Sequence, residues 1–236
     1  HFNPRIAHRH PVLDARFKAE HPDAMLSDSE LDGLIEDFVR AARTAHNIGY
    51  HFVDVKHCHG YLLHEILGAK TREGRYGGSF ENRTRFIRNI IGKIQAEIGH
   101  ELILATRLNV YDGVAYMEDP QTTVGIPRDC PMPYPYGFGV DENNPPQEDM
   151  TEPIQLVGML KGLGVKLVNV SMGSPYFNPH IGRPFERPPI DGYETPEHPL
   201  IGVDRHIRLT GVIQQAYPDL PVVGTGYSWL QSYLVN

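Results

Sequence analysis

A helix-period apolar stripe, a glycine and a short apolar run follow one another four times along this chain. That recurrence restricts the fold more than any other feature. Leu31, Leu34, Ile35, Phe38, Val39, Ala42 and Ala45 recur at steps of three and four, which sets them along one side of a helix. Ser27, three residues before Glu30, is a capping-box start, and Gly49 stands where that helix should stop. Residues 50–55 then read as a strand. The second unit opens at Ser79, carries Phe86, Ile87, Ile90, Ile91, Ile94 and Ile98, and stops at Gly99 before a strand over 102–106. The third opens at Thr151 with Pro153 in its first turn, carries Leu156, Val157 and Leu160, and passes Gly164 into a strand over 165–170. The fourth predicts a helix over 204–216 and a strand over 222–224.

Strands alternating with helices of this length imply βαβ units on a parallel sheet. The runs LVNV and PVVG are almost continuously apolar, as strands covered on both faces should be. A (β/α)8 barrel repeats the unit eight times, whereas an open doubly wound sheet is complete with four or five, and the periodicity fits both. Either way, chemistry belongs at the carboxyl ends of the strands. Two long connections, 111–150 and 173–203, are rich in proline and aromatic residues. Connections of that length act as lids or binding loops, or else as peripheral packing.

Composition narrows the function. The 236 residues carry a net charge of -7 with no Lys/Arg-rich run, which argues against nucleic-acid and anionic membrane surfaces. Apolar stretches are too short to span a bilayer. Two cysteines, Cys58 and Cys130, make no disulfide framework, and no signal-peptide pattern opens the chain, so a reducing, cytoplasmic setting is expected. The first residue is His1, and the opening segment reads like the middle of a longer protein.

The densest polar cluster is Lys56-His57-Cys58-His59-Gly60-Tyr61, directly after the first strand. On an extended strand His57 and His59 would share a face, which invites a divalent cation. The other strand ends, Arg107, Ser171 and Gly224, offer no further ligand, and a hydrogen-bonded loop cluster is the alternative. Arg107 closes the apolar run ILATR, where its charge calls for a bound anion or a neighbouring carboxylate. Gly224-Thr225-Gly226 after the last strand is a weak phosphate-cradle signal.

Residues 76–86, YGGSFENRTRF, resemble the YGGS-x-ENR-x-RF signature of the old yellow enzyme family of FMN oxidoreductases. The segment VDVKHCHGYLLHE at 53–65 resembles the family's preceding strand and its His-containing motif. The resemblance continues through LATRL at 104–108, VNVSMGSPY at 168–176 and PVVGTGYS at 221–228. It implies a (β/α)8 TIM barrel with FMN at the carboxyl-terminal mouth, reduced by NADH or NADPH and reoxidised by an activated alkene or similar acceptor. The family's His-x-x-Asn/His pair hydrogen-bonds the acceptor's oxygen, and a Tyr two residues on protonates the substrate carbon. Here His59 takes the second position of that pair and Tyr61 the acid, while Lys56 stands where the first His would be. The resemblance also sets Arg107 beside the flavin, with Gly224 and Gly226 helping to hold it.

On this alignment the four strands are barrel strands four to seven of a single FMN-binding domain spanning 1–236. Strands one to three would precede His1 and strand eight would follow Asn236. The expected function is an FMN-dependent NAD(P)H oxidoreductase acting on a small unsaturated molecule, with homo-oligomerisation left open. The alternatives are a cofactor-free barrel remnant and a metal-dependent hydrolase using His57 and His59.

Overall fold

The computed structural model describes residues 4–186 and 192–235. Helix α1 (Leu13–Phe17) and a 3-10 turn lead to α2 (Asp28–Asn47), then β1 (Phe52–Asp54), α3 (Leu62–Leu67), α4 (Phe80–Ile98) and β2 (Ile103–Asn109). Two antiparallel ribbons follow, β3 (Tyr116–Glu118) with β4 (Gly125–Pro127) and β5 (Val140–Asp141) with β6 (Asn144–Glu148). Next come α5 (Thr151–Gly162), β7 (Leu167–Ser171), α6 (Pro179–Gly182), α7 (Pro199–Ala216), β8 (Val222–Val223) and a 3-10 segment over Ser228–Val235. Among the described residues no helix is long and apolar enough to cross a membrane.

The caps form where the sequence places them. Ser27 accepts from the Glu30 N–H while the Glu30 carboxylate accepts from the Ser27 N–H, and the Ser79 hydroxyl accepts from the Asn82 N–H. The α2 stripe packs on the α4 stripe, with Phe38 edge-on to Phe86 at 6.0 Å between ring centres. Two boundaries and one connection differ from expectation. Strand β2 runs on to Asn109, so Arg107 lies within a strand rather than at its end. Helix α7 starts at Pro199, five residues before the apolar stripe, because Pro199 suits a first turn and the His198 ring accepts the Leu200 N–H. The long 111–150 connection is organised by its two ribbons.

The main sheet has the order β1-β2-β7-β8, all parallel, so the strands follow the chain without turning back. One face is sealed: Val55, Leu104, Thr106, Leu108, Val168 and Val170 are buried beneath the helices. On the other face Phe52, Ile103 and Val223 are 54%, 47% and 41% exposed. Winding in one direction with helices on one side only is an arc of a (β/α)8 barrel; a doubly wound sheet reverses its strand order and is covered on both sides. The strands are therefore single-faced, and the near-continuous apolar runs do not mark double coverage. Asn169, the polar member of LVNV, lies on the inner face with Arg107 as its register partner.

The 76–86 motif fastens the helical layer. Arg83 is buried and donates to the Leu67 carbonyl (2.5 Å), the Gly78 carbonyl (2.9 Å) and both oxygens of Glu152 on α5 (2.5 and 3.1 Å). Tyr76 donates to Asp32 on α2 at 2.5 Å. A Cβ at Gly77 would lie 2.2 Å from the Arg72 carbonyl oxygen, so only glycine fits this approach.

Candidate functional site

Parallel pairing carries the chain past β1 as far as His57, whose N–H donates to the Arg107 carbonyl at 2.8 Å. The extended backbone then ends: His59, in the left-handed region at φ 62°, and Gly60 turn the chain into α3. His57 stays fully buried on the helix-covered side, with Nδ1 near the Val55 carbonyl (3.2 Å) and the Thr106 hydroxyl (3.0 Å). His59 swings to the opposite side. The face-sharing expected of these two histidines is thus broken by the turn, and among the described residues no group of three His, Cys, Asp or Glu side chains could hold a metal ion.

At the carboxyl ends of the strands lies an open cleft of about 940 Å³, lined among others by His59, Arg107, Pro175, Arg183, Gly226 and Trp229. Strand alternation directs Arg107 to this inner side. Its Nε is buried with no hydrogen-bond partner among the described residues, and no carboxylate there pairs with it. A guanidinium desolvated on one side and open to a cleft on the other calls for an anion. Asn169, its neighbour in register, likewise has a buried Oδ1 without a partner among the described residues. Burial, followed by the nearby charges of Arg107 and Lys56, pushes the His59 imidazole down to about 4. At neutral pH His59 is therefore uncharged, with one N–H to donate.

Lys56 and Tyr61 stand together outside this lining. The Lys56 ammonium sits 3.8 Å from the centre of the Tyr61 ring, a cation–π contact, and both residues are exposed. Gly224 is also outside the lining. Its missing side chain leaves room for the Tyr227 hydroxyl, which an added Cβ would meet at 1.9 Å. Gly226, at φ 85°, passes over the His206 ring at a distance no Cβ would tolerate. Of the six residues singled out from sequence, His59, Arg107 and Gly226 share the cleft, while Lys56, Tyr61 and Gly224 do not line it.

A buried hydrogen-bond relay supports the His59–Tyr61 turn. The Gly60 N–H donates to His64 Nδ1 at 2.7 Å, so that nitrogen carries no proton and His64 is the Nε2–H tautomer. His64 Nε2 in turn donates to Asp112 Oδ1 at 2.6 Å. Asp112 also accepts from the Asn109 amide (2.6 Å) and the Phe138 N–H (2.7 Å). Burial pushes the Asp112 carboxyl up, but the adjacent His64 and these bonds outweigh it and hold it below the ordinary carboxylate range. His64 lies in the HGYLLHE stretch, yet its partner is 48 positions away, so only its i, i+4 spacing from Gly60 was visible in sequence.

Solved structures resemble this fold. Histamine dehydrogenase from Rhizobium sp. 4-9 superposes with a TM-score of 0.56 at 20% identity, covering 88% of this chain and 25% of that one. A 2-naphthoyl-CoA reductase superposes with a TM-score of 0.55 at 22% identity, covering 84% and 24%. These likenesses concern the fold. In sequence, the chain is 43% identical over 76 residues to a putative 12-oxophytodienoate reductase 4 of Oryza sativa subsp. japonica, covering 31% of this chain and 20% of the relative. It is 34% identical over 113 residues to 12-oxophytodienoate reductase 2 of Arabidopsis thaliana, covering 47% and 29%. The chain thus spans less than a third of the length of either relative. The model of the NADH:flavin oxidoreductase / NADH oxidase family matches residues 9–126, and the chain belongs to that family.

Proposed function

We propose that the protein is an FMN-dependent NAD(P)H oxidoreductase of the old yellow enzyme type that reduces an activated unsaturated small molecule. The observation that carries this reading is Arg107, a partly desolvated guanidinium with no carboxylate partner among the described residues, beside a neutral His59 in a cleft large enough for a flavin and a small acceptor. FMN supplies hydride-transfer chemistry between NADH or NADPH and the acceptor. Arg107 gives a fixed positive charge for an anionic partner, and the Gly226 backbone allows close approach beside it. The uncharged His59 donates its N–H to the acceptor's carbonyl or nitro oxygen, where negative charge develops as hydride arrives at the carbon. Lys56 takes the place of a second neutral donor with a charged one, which suits an acceptor oxygen carrying more negative charge. Tyr61, on the Gly60 turn beside the cleft rather than in its lining, is assigned the proton that completes reduction, and the ammonium over its ring would compensate the charge left on its oxygen.

The two half-reactions, followed separately by anaerobic rapid mixing, test these roles. Tyr61→Phe is expected to leave flavin reduction by NADH or NADPH within about twofold of wild type while slowing reoxidation by the acceptor about 100-fold or more. Equal losses in both halves would refute the proton-donor role. His59→Ala is expected to weaken acceptor binding and slow reoxidation, again sparing the reductive half.

A further inference from the structure

Arg107 and Asn169 stand side by side on the inner face of the sheet, as register partners on β2 and β7. Neighbouring strands lie about 4.8 Å apart, so the two side chains leave the sheet within reach of each other. Val168 and Val170, on either side of Asn169, are buried on the covered face, as Thr106 and Leu108 are beside Arg107. Each member of the inward pair carries one buried polar atom without a partner among the described residues, and the two atoms are of opposite kind. Arg107 Nε is a charged donor and Asn169 Oδ1 an acceptor.

The inner face around them is already satisfied or apolar. Beyond Asn169 the row continues into Val223, whose side chain has no polar atom. One row toward the strand starts, Ala105 faces Leu167, and Asp54 Oδ1 accepts the Arg107 backbone N–H at 2.8 Å rather than the guanidinium. One row toward the strand ends, the Asn109 amide is engaged by the Ser171 hydroxyl (3.4 Å) and by Asp112 (2.6 Å). A buried charged donor and a buried acceptor each cost free energy while unmet, and both deficits vanish when one meets the other. The movement required is small, because the terminal amide torsion of asparagine is broad. Once Nε–H is held, the plane of the guanidinium is fixed and its terminal N–H groups remain as a fork for a ligand.

We infer that Asn169 is a positioning residue for Arg107: its Oδ1 takes the Nε–H and so aims the terminal N–H groups at the anion bound in the His59–Arg107 cleft. That this anion is FMN rests on the function proposed above; the bond between Arg107 and Asn169 does not.

The first test needs no flavin. Exchange of the Arg107 Nε proton with water is followed by NMR, the signal being assigned by its loss in Arg107→Met. Slow exchange is expected in the wild type and in Asn169→Asp, which keeps the acceptor oxygen. Exchange about tenfold or more faster is expected in Asn169→Leu, which is close to asparagine in shape and has no acceptor. Equal exchange in the wild type and Asn169→Leu would overturn the inference. The second test is a double-variant cycle in FMN affinity, read by flavin fluorescence. Asn169→Leu is expected to weaken FMN about tenfold while Arg107 is present, and by no more than about twofold in the Arg107→Met background. Equal losses in both backgrounds would show Asn169 acting on its own and would also overturn the inference. A wild type that retains no FMN counts against the proposed function, and the exchange measurement then decides this inference alone.

Discussion

Arg107 and His59 influence each other before any ligand arrives. Burial and then the guanidinium hold the imidazole down to about 4, and the neutral imidazole leaves the positive charge of the cleft to Arg107 and to Arg183, which also lines it. Arg107→Met keeps the stem length and removes the charge, so FMN binding should weaken by about 10- to 100-fold in a fluorescence titration. Arg107→Lys should recover only part of that loss, because an ammonium lacks the planar fork. His64 acts one step further back. His64→Ala leaves the Gly60 N–H and Asp112 without their shared partner, and should cost about 1–3 kcal/mol in chemical denaturation. His64→Gln, which can still accept with one end and donate with the other, should restore most of the stability. In the proposed reaction His64→Ala should also slow reoxidation more than flavin reduction, since it loosens the turn that carries His59 and Tyr61. Much of this site was legible residue by residue. A charge on a strand's inner side, a histidine after the strand and a glycine after the last strand each have a local signal. Asn169 and the His64–Asp112 pair had none that decides, because their importance comes from register and from partners 48 positions away in the chain.

Among the elements, the most recognisable stretch of sequence lies outside the lining of the cleft. Tyr76, Gly77 and Arg83 clamp α2, α3, α4 and α5 to one another on the covered side of the sheet. The Arg83 side chain is only 3% exposed while its partner Glu152 is 28% exposed. Arg83→Ala strands two carbonyls and a carboxylate and should cost about 3–5 kcal/mol, whereas Tyr76→Phe should cost about 1 kcal/mol. A denaturant titration of both variants orders them, and equal small losses would contradict the clamp. The elements themselves were readable where a cap and a stripe coincide, as in α2 and α4. They were misplaced where one signal was missing. The start of α7 carries exposed Leu200 and Ile201 rather than a buried stripe, and the end of β2 continues past a charged residue that a strand rule would stop at.

For the molecule as a whole, buried histidines set the response to pH. Burial holds His8 down to about 3 and His10, His57, His180 and His206 to about 4, alongside His59. Below the ordinary histidine value near 6.5 the unfolded chain takes up these protons and the folded chain refuses them, so stability falls as pH drops from about 6.5 toward 4. Glu65 opposes one of them: burial lifts its carboxyl to about 7, so the folded chain keeps a proton there that the unfolded chain releases. Unfolding at pH 5.5 should therefore take up roughly four protons net, measurable by calorimetry in buffers of different ionisation enthalpy. Uptake near zero would contradict this account of the buried histidines. The one-way winding of the sheet, which separates a barrel arc from a doubly wound sheet, was beyond the reach of periodicity. Both folds present the same alternation of helix and strand, and only spatial order and the bare inner face tell them apart.

The visible absorption spectrum of the purified protein, with FMN added and then NADH or NADPH under anaerobic conditions, tests the central claim most directly. The account predicts that FMN is retained through gel filtration and that its visible oxidised-flavin absorbance bleaches with one or both nucleotides, the colour returning on addition of an activated alkene. A protein that retains no FMN, or holds it with a spectrum unmoved by either nucleotide, would contradict the oxidoreductase reading of the His59–Arg107 cleft.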